Sequence, residues 1–234
     1  MGSKNRIAKY ILPIILKDRK PDQWYVEPFV GGANMIDKVD GNRIGADFNC
    51  AVINALIFIR DCKTPVNNNE YTESDYNKAA GLARKGSALS AVDSYALIAF
   101  SFGAKWIGGW SRGKNSKGDQ RDYVSEQHRA SEKQNPLLQG IKLESCSYSS
   151  IDVPDNSIIY CDPPYFGTTK YKDSFDHELF WQWCRDMSDK GHQVFISEYN
   201  APDDFECLWQ KEIQSGLNTN TTKKGVEKLF KYIP

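Results

Sequence analysis

Asp162-Pro163-Pro164-Tyr165 follows directly on the apolar run Ile158-Ile159-Tyr160-Cys161. The run is of strand type, and the prolines lack the N–H groups that a sheet ladder needs. The strand must therefore stop at Asp162 and deliver that carboxylate to its C-terminal end, the edge at which ligands bind in open α/β sheets. These residue types suit one kind of chemistry. The exocyclic amine of a nucleobase is a poor nucleophile because its lone pair is delocalised into the ring. Two acceptors, one for each N–H, would localise that pair. Asp162 can supply a charge-assisted acceptor. The Pro163 carbonyl, fixed by the Pro163-Pro164 geometry, can supply the other. Tyr165 offers a flat face to a base that has left its duplex. The nitrogen could then attack a methyl donor in line, with preorganisation and alignment carrying most of the rate. Read alone, the tetrapeptide is equally a plain turn, since Pro-Pro after a strand is common punctuation.

Other elements must position this group. Trp24-Tyr25-Val26-Glu27-Pro28-Phe29-Val30-Gly31-Gly32-Ala33-Asn34-Met35 reads as strand, glycine turn and helix. The paired glycines let a ligand approach the backbone closely. Neither the dinucleotide fingerprint nor a Walker loop is present, which points to a cofactor without phosphates. Glu27 is placed to attract a cationic head. About one βα unit later, Arg43-Ile44-Gly45-Ala46-Asp47 ends a second strand in an acid suited to ribose hydroxyls. Asp47 competes for a second role, as N-cap of the apolar helix from Ala51 to Ile59. Ser3 could cap a short amphipathic helix at the start of the chain. Lys4 beside it reads, on its own, as a solvated charge.

The chain has 234 residues, enough for one α/β domain with a modest insertion. Its 40% hydrophobic and 26% charged content is that of a soluble globular protein. The formal net charge is zero, so any nucleic-acid contact must come from a local basic patch. Six cysteines without a CxxC pair argue against a zinc site and a disulfide framework; no metal ligands are assigned. No membrane-length apolar run or signal peptide is seen, and a cytoplasmic setting is expected.

One stretch breaks the neutral balance. Between Lys105 and Arg121 lie Trp106, Trp110, Arg112, Lys114 and Lys117, with Asp119 the only acid. Basic residues interleaved with aromatics suit phosphate contact and base stacking. The bland reading is a solvated charge run on a loop. The rest of the segment from Pro65 to Phe100 reads as helical scaffold. After Tyr165, the polar stretch from Phe166 to Asp173 reads as a lid, and Asp176 as the cap of a helix beginning at His177. Gln193 to Tyr199 reads as a buried strand ending in polar groups at the ligand edge, and Thr222 to Tyr232 as a terminal hairpin partner.

Taken in order, Gly2-Ser3-Lys4, Glu27-Pro28-Phe29-Val30-Gly31-Gly32, Asp47, the basic insertion and Asp162-Pro163-Pro164-Tyr165 resemble the Dam-type (D12 class) DNA adenine-N6 methyltransferases. The resemblance covers nearly the whole chain. It implies a Rossmann-like α/β methyltransferase sheet, S-adenosylmethionine as donor, and a flipped adenine in double-stranded DNA as acceptor. It implies that Asp162, Pro163, Pro164 and Tyr165 form the catalytic motif. It places Lys4, Glu27, Pro28, Phe29, Gly31, Gly32, Asp47 and Asp162 around the donor, and Lys105, Trp106, Trp110, Arg112, Lys114 and Lys117 against DNA. It divides the chain into a cofactor-binding part (1–100), an inserted recognition element (101–139) and a catalytic part (140–234). Two features depart from the family pattern. The chain starts three residues before Lys4, where relatives usually carry a donor-contacting aromatic, and the insertion is short. Other acceptors for the same chemistry are cytosine N4, RNA adenine and a glutamine amide, of which glutamine would have no use for the basic insertion. A reading of another class is a catalytically silent nucleic-acid-binding module.

Overall fold

The computed structural model describes residues 4–61, 64–166, 175–214 and 224–233. Ser3 and residues 167–174, which carry most of the expected lid, lie outside that range.

Helix α1 (Asn5–Ile15) buries Ile7, Ala8, Ile11, Leu12 and Ile15, the single stripe its helical spacing dictates. Lys4 stands at its N-cap position without a side-chain cap. Five parallel strands follow: β1 (Tyr25–Glu27), β2 (Arg43–Asp47), β3 (Ile141–Ser145), β4 (Ile158–Cys161) and β5 (Gln193–Glu198). Strands β6 (Phe205–Gln214) and β7 (Lys224–Tyr232) close the sheet as a hairpin. The order is β3-β2-β1-β4-β5-β7-β6, and β7 runs antiparallel to both of its neighbours. This is the Rossmann-like α/β sheet that was expected.

The pleat sorts side chains onto two cores. Tyr25, Ile158, Tyr160 and Phe195 pack with α1 and with α2 (Cys50–Asp61) on one face. Val26, Ile44, Ile159, Cys161 and Ile196 pack with α6 (His177–Asp189) on the other. Asp162 is next in the alternation after Tyr160, on the α1 side. A third core joins α3 (Glu73–Arg84), α4 (Ala91–Ala99) and Val124 of α5 (Tyr123–Leu138). Residues 101–122 run between α4 and α5 of this layer, with antiparallel bridges between Ser101 and Trp110 and between Lys114 and Gln120.

Two local expectations are corrected. The glycine turn is not followed by an α-helix; only a single 3-10 turn, Ile36–Lys38, fits before β2 begins at Arg43. Asp47 does not cap α2. Asn49 does, with its Oδ1 accepting from the Ala51 N–H at 3.1 Å, while Asp47 Oδ1 accepts from the Asn49 N–H at 2.9 Å. The extra two residues let Asp47 remain at the strand end while Asn49 makes the cap. Asp176 caps α6 as expected, accepting from the Leu179 N–H at 3.0 Å.

Candidate active site

The parallel strands run outward in opposite senses from β1 and β4, which pair in register at Tyr25–Ile158 and Val26–Ile159. The crevice at their C-terminal ends is the switch point at which ligands bind in such sheets. Glu27 ends β1, and Asp162 follows β4. Asp47 ends the adjacent β2, and Glu198 ends β5. The sheet therefore gathers four carboxylates along one edge.

Asp162 Oδ1 lies 3.2 Å from Lys4 Nζ, and the same ammonium reaches Glu227 Oε2 on β7 at 3.0 Å. Tyr165 donates its hydroxyl to Glu227 Oε2 at 2.7 Å and also receives Lys4. Burial pushes the Asp162 carboxyl above the usual range and Glu227 adds to the rise, while Lys4 and the Tyr165 hydroxyl oppose it. Burial acts against the Lys4 charge, but Asp162 and Glu227 together hold its pKa above the ordinary lysine value. Pro163 is buried, and its carbonyl takes no hydrogen bond among the described residues. The loop is pinned behind Tyr165 by Glu198. This carboxylate, 1% exposed, accepts the Phe166 N–H at 2.6 Å and also the Tyr199 N–H. Tyr199 packs edge-on against the Tyr165 ring, with centroids 4.7 Å apart.

The glycine turn is held from two sides. Gly31, at φ +48°, donates its N–H to Asp47 Oδ2 at 3.2 Å, and a Cβ added there would meet nothing within 4 Å. Gln134 of α5 donates to the Gly32 carbonyl at 2.9 Å. Glu27 is 2% exposed and accepts the Tyr25 hydroxyl at 2.9 Å. Burial drives its carboxyl well above the usual range, and the Asp162 charge adds to that. Phe29 turns into the α6 core, its ring 5.4 Å from Tyr148 and 5.7 Å from Phe180. Phe48, next to Asp47, is 84% exposed, an aromatic face at the ligand edge.

The basic segment divides. Trp110 packs edge-on against Tyr76 and Phe100, each at 5.7 Å, and Trp106 lies against the same core. Arg112 pairs with Glu73, and Arg121 with Glu126. Lys114 and Lys117 stand exposed, and Lys105 is half-buried.

The sequence does not single out Glu198, Glu227, Gln134 or Phe48 as site residues. Phe48 and Glu198 carry local signals, Phe48 directly after a strand-end acid and Glu198 at the polar end of a buried strand. Glu227 and Gln134 reach the site through pairings that no local pattern reveals.

No family model matches the chain. Over a 252-residue alignment the chain is 25% identical to the Type II methyltransferase M.FokI of Planomicrobium okeanokoites, covering 97% of this chain and 36% of that protein. The chain thus spans about a third of the length of the curated relative. It also overlaps the crystal structure of SMU.472 complexed with SAH. That overlap has a TM-score of 0.37 and 11% identity, covering 98% of this chain and 52% of the other. An overlap at that score adds nothing to the fold, which rests on strand order and register.

Proposed function

We propose that the chain is a site-specific DNA methyltransferase unit that moves a methyl group from S-adenosylmethionine to N6 of a flipped adenine. The observation that carries the reading is Asp162-Pro163-Pro164-Tyr165 at the switch-point edge, with the carboxylate held by Lys4. The similarity to a Type II methyltransferase over almost the whole chain points the same way. In this reading residues 1–100 chiefly serve the donor, 101–139 contain the DNA-recognition element, and 140–234 carry the catalytic loop.

The residues present suit the donor. Asp47 uses one hydrogen bond on each oxygen, and a carboxylate has acceptor sites to spare for ribose hydroxyls. The open side of Gly31 leaves room beside the backbone. Phe48 offers a stacking face to a purine ring. Glu27 ends β1 just before the turn and is the acid that would meet the donor's cationic head. When bound, S-adenosylmethionine supplies an electrophilic methyl group on a sulfonium.

The chain's own residues then do the rest. Asp162 accepts one N–H of the target amine, and the Pro163 carbonyl accepts the other. Both bonds draw the nitrogen lone pair out of the ring and aim it in line. Tyr165 lies against the flipped base. Lys114 and Lys117 neutralise phosphates, and Lys105, in the same loop, reaches the backbone nearby. Trp106 and Trp110 form the packed foot of that loop.

The test is incubation with methyl-labelled S-adenosylmethionine and duplex DNA, followed by digestion to nucleosides. Label in N6-methyladenine supports the reading. Label in N4-methylcytosine, or in RNA alone, transfers the same site to another acceptor. DNA binding without label turnover leaves a silent binding module.

A further inference from the structure

Two carboxylates meet one lysine in this site, and only one of them is used by the mechanism above. Glu227 stands on β7, the strand that runs against its neighbours. Its Oε2 accepts from Lys4 Nζ at 3.0 Å and from the Tyr165 hydroxyl at 2.7 Å. The start of α1, the loop after β4 and the last strand thus join at a single oxygen. The Lys4, Asp162 and Glu227 side chains retain 11%, 22% and 16% exposure. Two like charges sharing one cation out of bulk water is a costly arrangement for structure alone.

We propose that Glu227 is a positioning residue that anchors the Tyr165 hydroxyl and divides Lys4 with Asp162, keeping the Asp162 carboxylate available to the target amine. The inference rests on the reading of Asp162 as amine acceptor. An ammonium has three donors, and a carboxylate that alone received a lysine's full pairing would be a weaker acceptor for anything else. Sharing the cation loosens its hold on Asp162. The second bond fixes the Tyr165 ring, which Tyr199 already clamps edge-on.

Among the described residues, several other groups face Asp162. Glu27 approaches from β1, and Glu198 and Tyr199 from the end of β5. Tyr160 and Cys161 precede it on its own strand. None of these is a cation; among the described residues Lys4 is the positive group in contact. Glu227 pushes the Asp162 carboxyl up, so removing its charge lets Lys4 pull that carboxyl down.

Glu227→Gln keeps the volume and an acceptor oxygen but removes the charge. With methyl-labelled S-adenosylmethionine and plasmid DNA from a methylation-deficient host, kcat should fall about tenfold or more, the scale of one charge-assisted hydrogen bond. The donor KM should stay within about twofold, because the loss falls on the transition state. The acid limb of the kcat profile should move to lower pH, and Glu227→Asp should recover part of the rate. Wild-type kcat with an unmoved acid limb overturns the inference. If the wild-type protein transfers no label, the proposed function fails, and a measurement without turnover still decides this point. Carbon-13 carboxyl titration of Asp162 should show a lower midpoint in Glu227→Gln than in wild type. An unmoved midpoint overturns the inference. If Glu227→Gln does not fold, the same titration on Glu227→Asp, whose shorter side chain draws the charge away from Lys4, carries the same two outcomes.

Discussion

Gly31 and Asp47, sixteen residues apart, are joined by a hydrogen bond from the Gly31 N–H to Asp47 Oδ2 at 3.2 Å. The bond ties the glycine turn after β1 to the end of β2, so the backbone that would face the donor and the acid that would hold its ribose move as one piece. Burial raises the Asp47 carboxyl above its usual range, and the N–H groups of Asn49 and Gly31 counter that.

Asp47→Ala should therefore weaken S-adenosylmethionine binding by roughly 1.5–3 kcal/mol, the worth of hydrogen bonds to a charged acceptor. Asp47→Asn keeps one acceptor oxygen for the turn and should cost less stability while still losing affinity. Calorimetric titration with the donor reads the first effect, and urea unfolding the second. Unchanged donor affinity in both variants would leave Asp47 only its tie to Gly31.

Glu27 should cost the protein stability. Its folded pKa is raised well above the ordinary 4.5 by burial. Between the unfolded and folded values the native state holds the extra proton, so stability falls as pH rises through that window. Glu27→Gln removes the ionisation and keeps an acceptor for the Tyr25 hydroxyl. It should match wild type at pH below the unfolded value, gain on it as pH rises between the unfolded and folded values, and hold a constant advantage above the folded one. Donor binding should drop in the same variant if Glu27 meets the cationic head. Urea midpoints measured across pH read the first effect. A constant offset, or none, would show that Glu27 does not titrate as a buried acid.

Much of this site was legible because it depends on local rules. Pro163 and Pro164 cannot continue β4, so Asp162 had to end it. Asp47 follows a short apolar strand, and Asp176 sits where a helix cap belongs. The illegible parts are long-range. Glu227 enters the site only because β7 inserts between β5 and β6, and β6 itself carries mixed residues that gave no clear strand signal. Gln134 reaches Gly32 from α5, within the 101–139 segment expected to be an insertion. Trp106 and Trp110 look like base-stacking groups beside lysines, yet the apolar layer of α3 and α4 offers them burial.

The basic segment should therefore respond in two ways. Lys114→Ala with Lys117→Ala should weaken DNA binding for target and scrambled duplexes alike. Each phosphate that is no longer neutralised should flatten the slope of log affinity against log salt by roughly 0.9. Trp110→Ala removes a ring packed against Tyr76 and Phe100 and should cost about 3 kcal/mol of stability, the lower end for large aromatics in cores. Affinities across a salt series and urea midpoints separate the two. A double lysine variant with the wild-type slope would make the turn a solvated surface.

In the proposed reaction Asp162 activates the amine of a flipped adenine. The direct measurement compares wild type, Asp162→Asn and Asp162→Ala for transfer of labelled methyl from S-adenosylmethionine to duplex DNA, with donor binding followed in parallel. The account predicts N6-methyladenine with the wild-type protein. It predicts loss of at least about 100-fold in kcat for Asp162→Ala, the scale of about 3 kcal/mol of transition-state stabilisation. Asp162→Asn, which keeps a neutral acceptor oxygen, should fall between the two. Wild-type turnover by Asp162→Ala, in a protein that still folds and binds the donor, would contradict it.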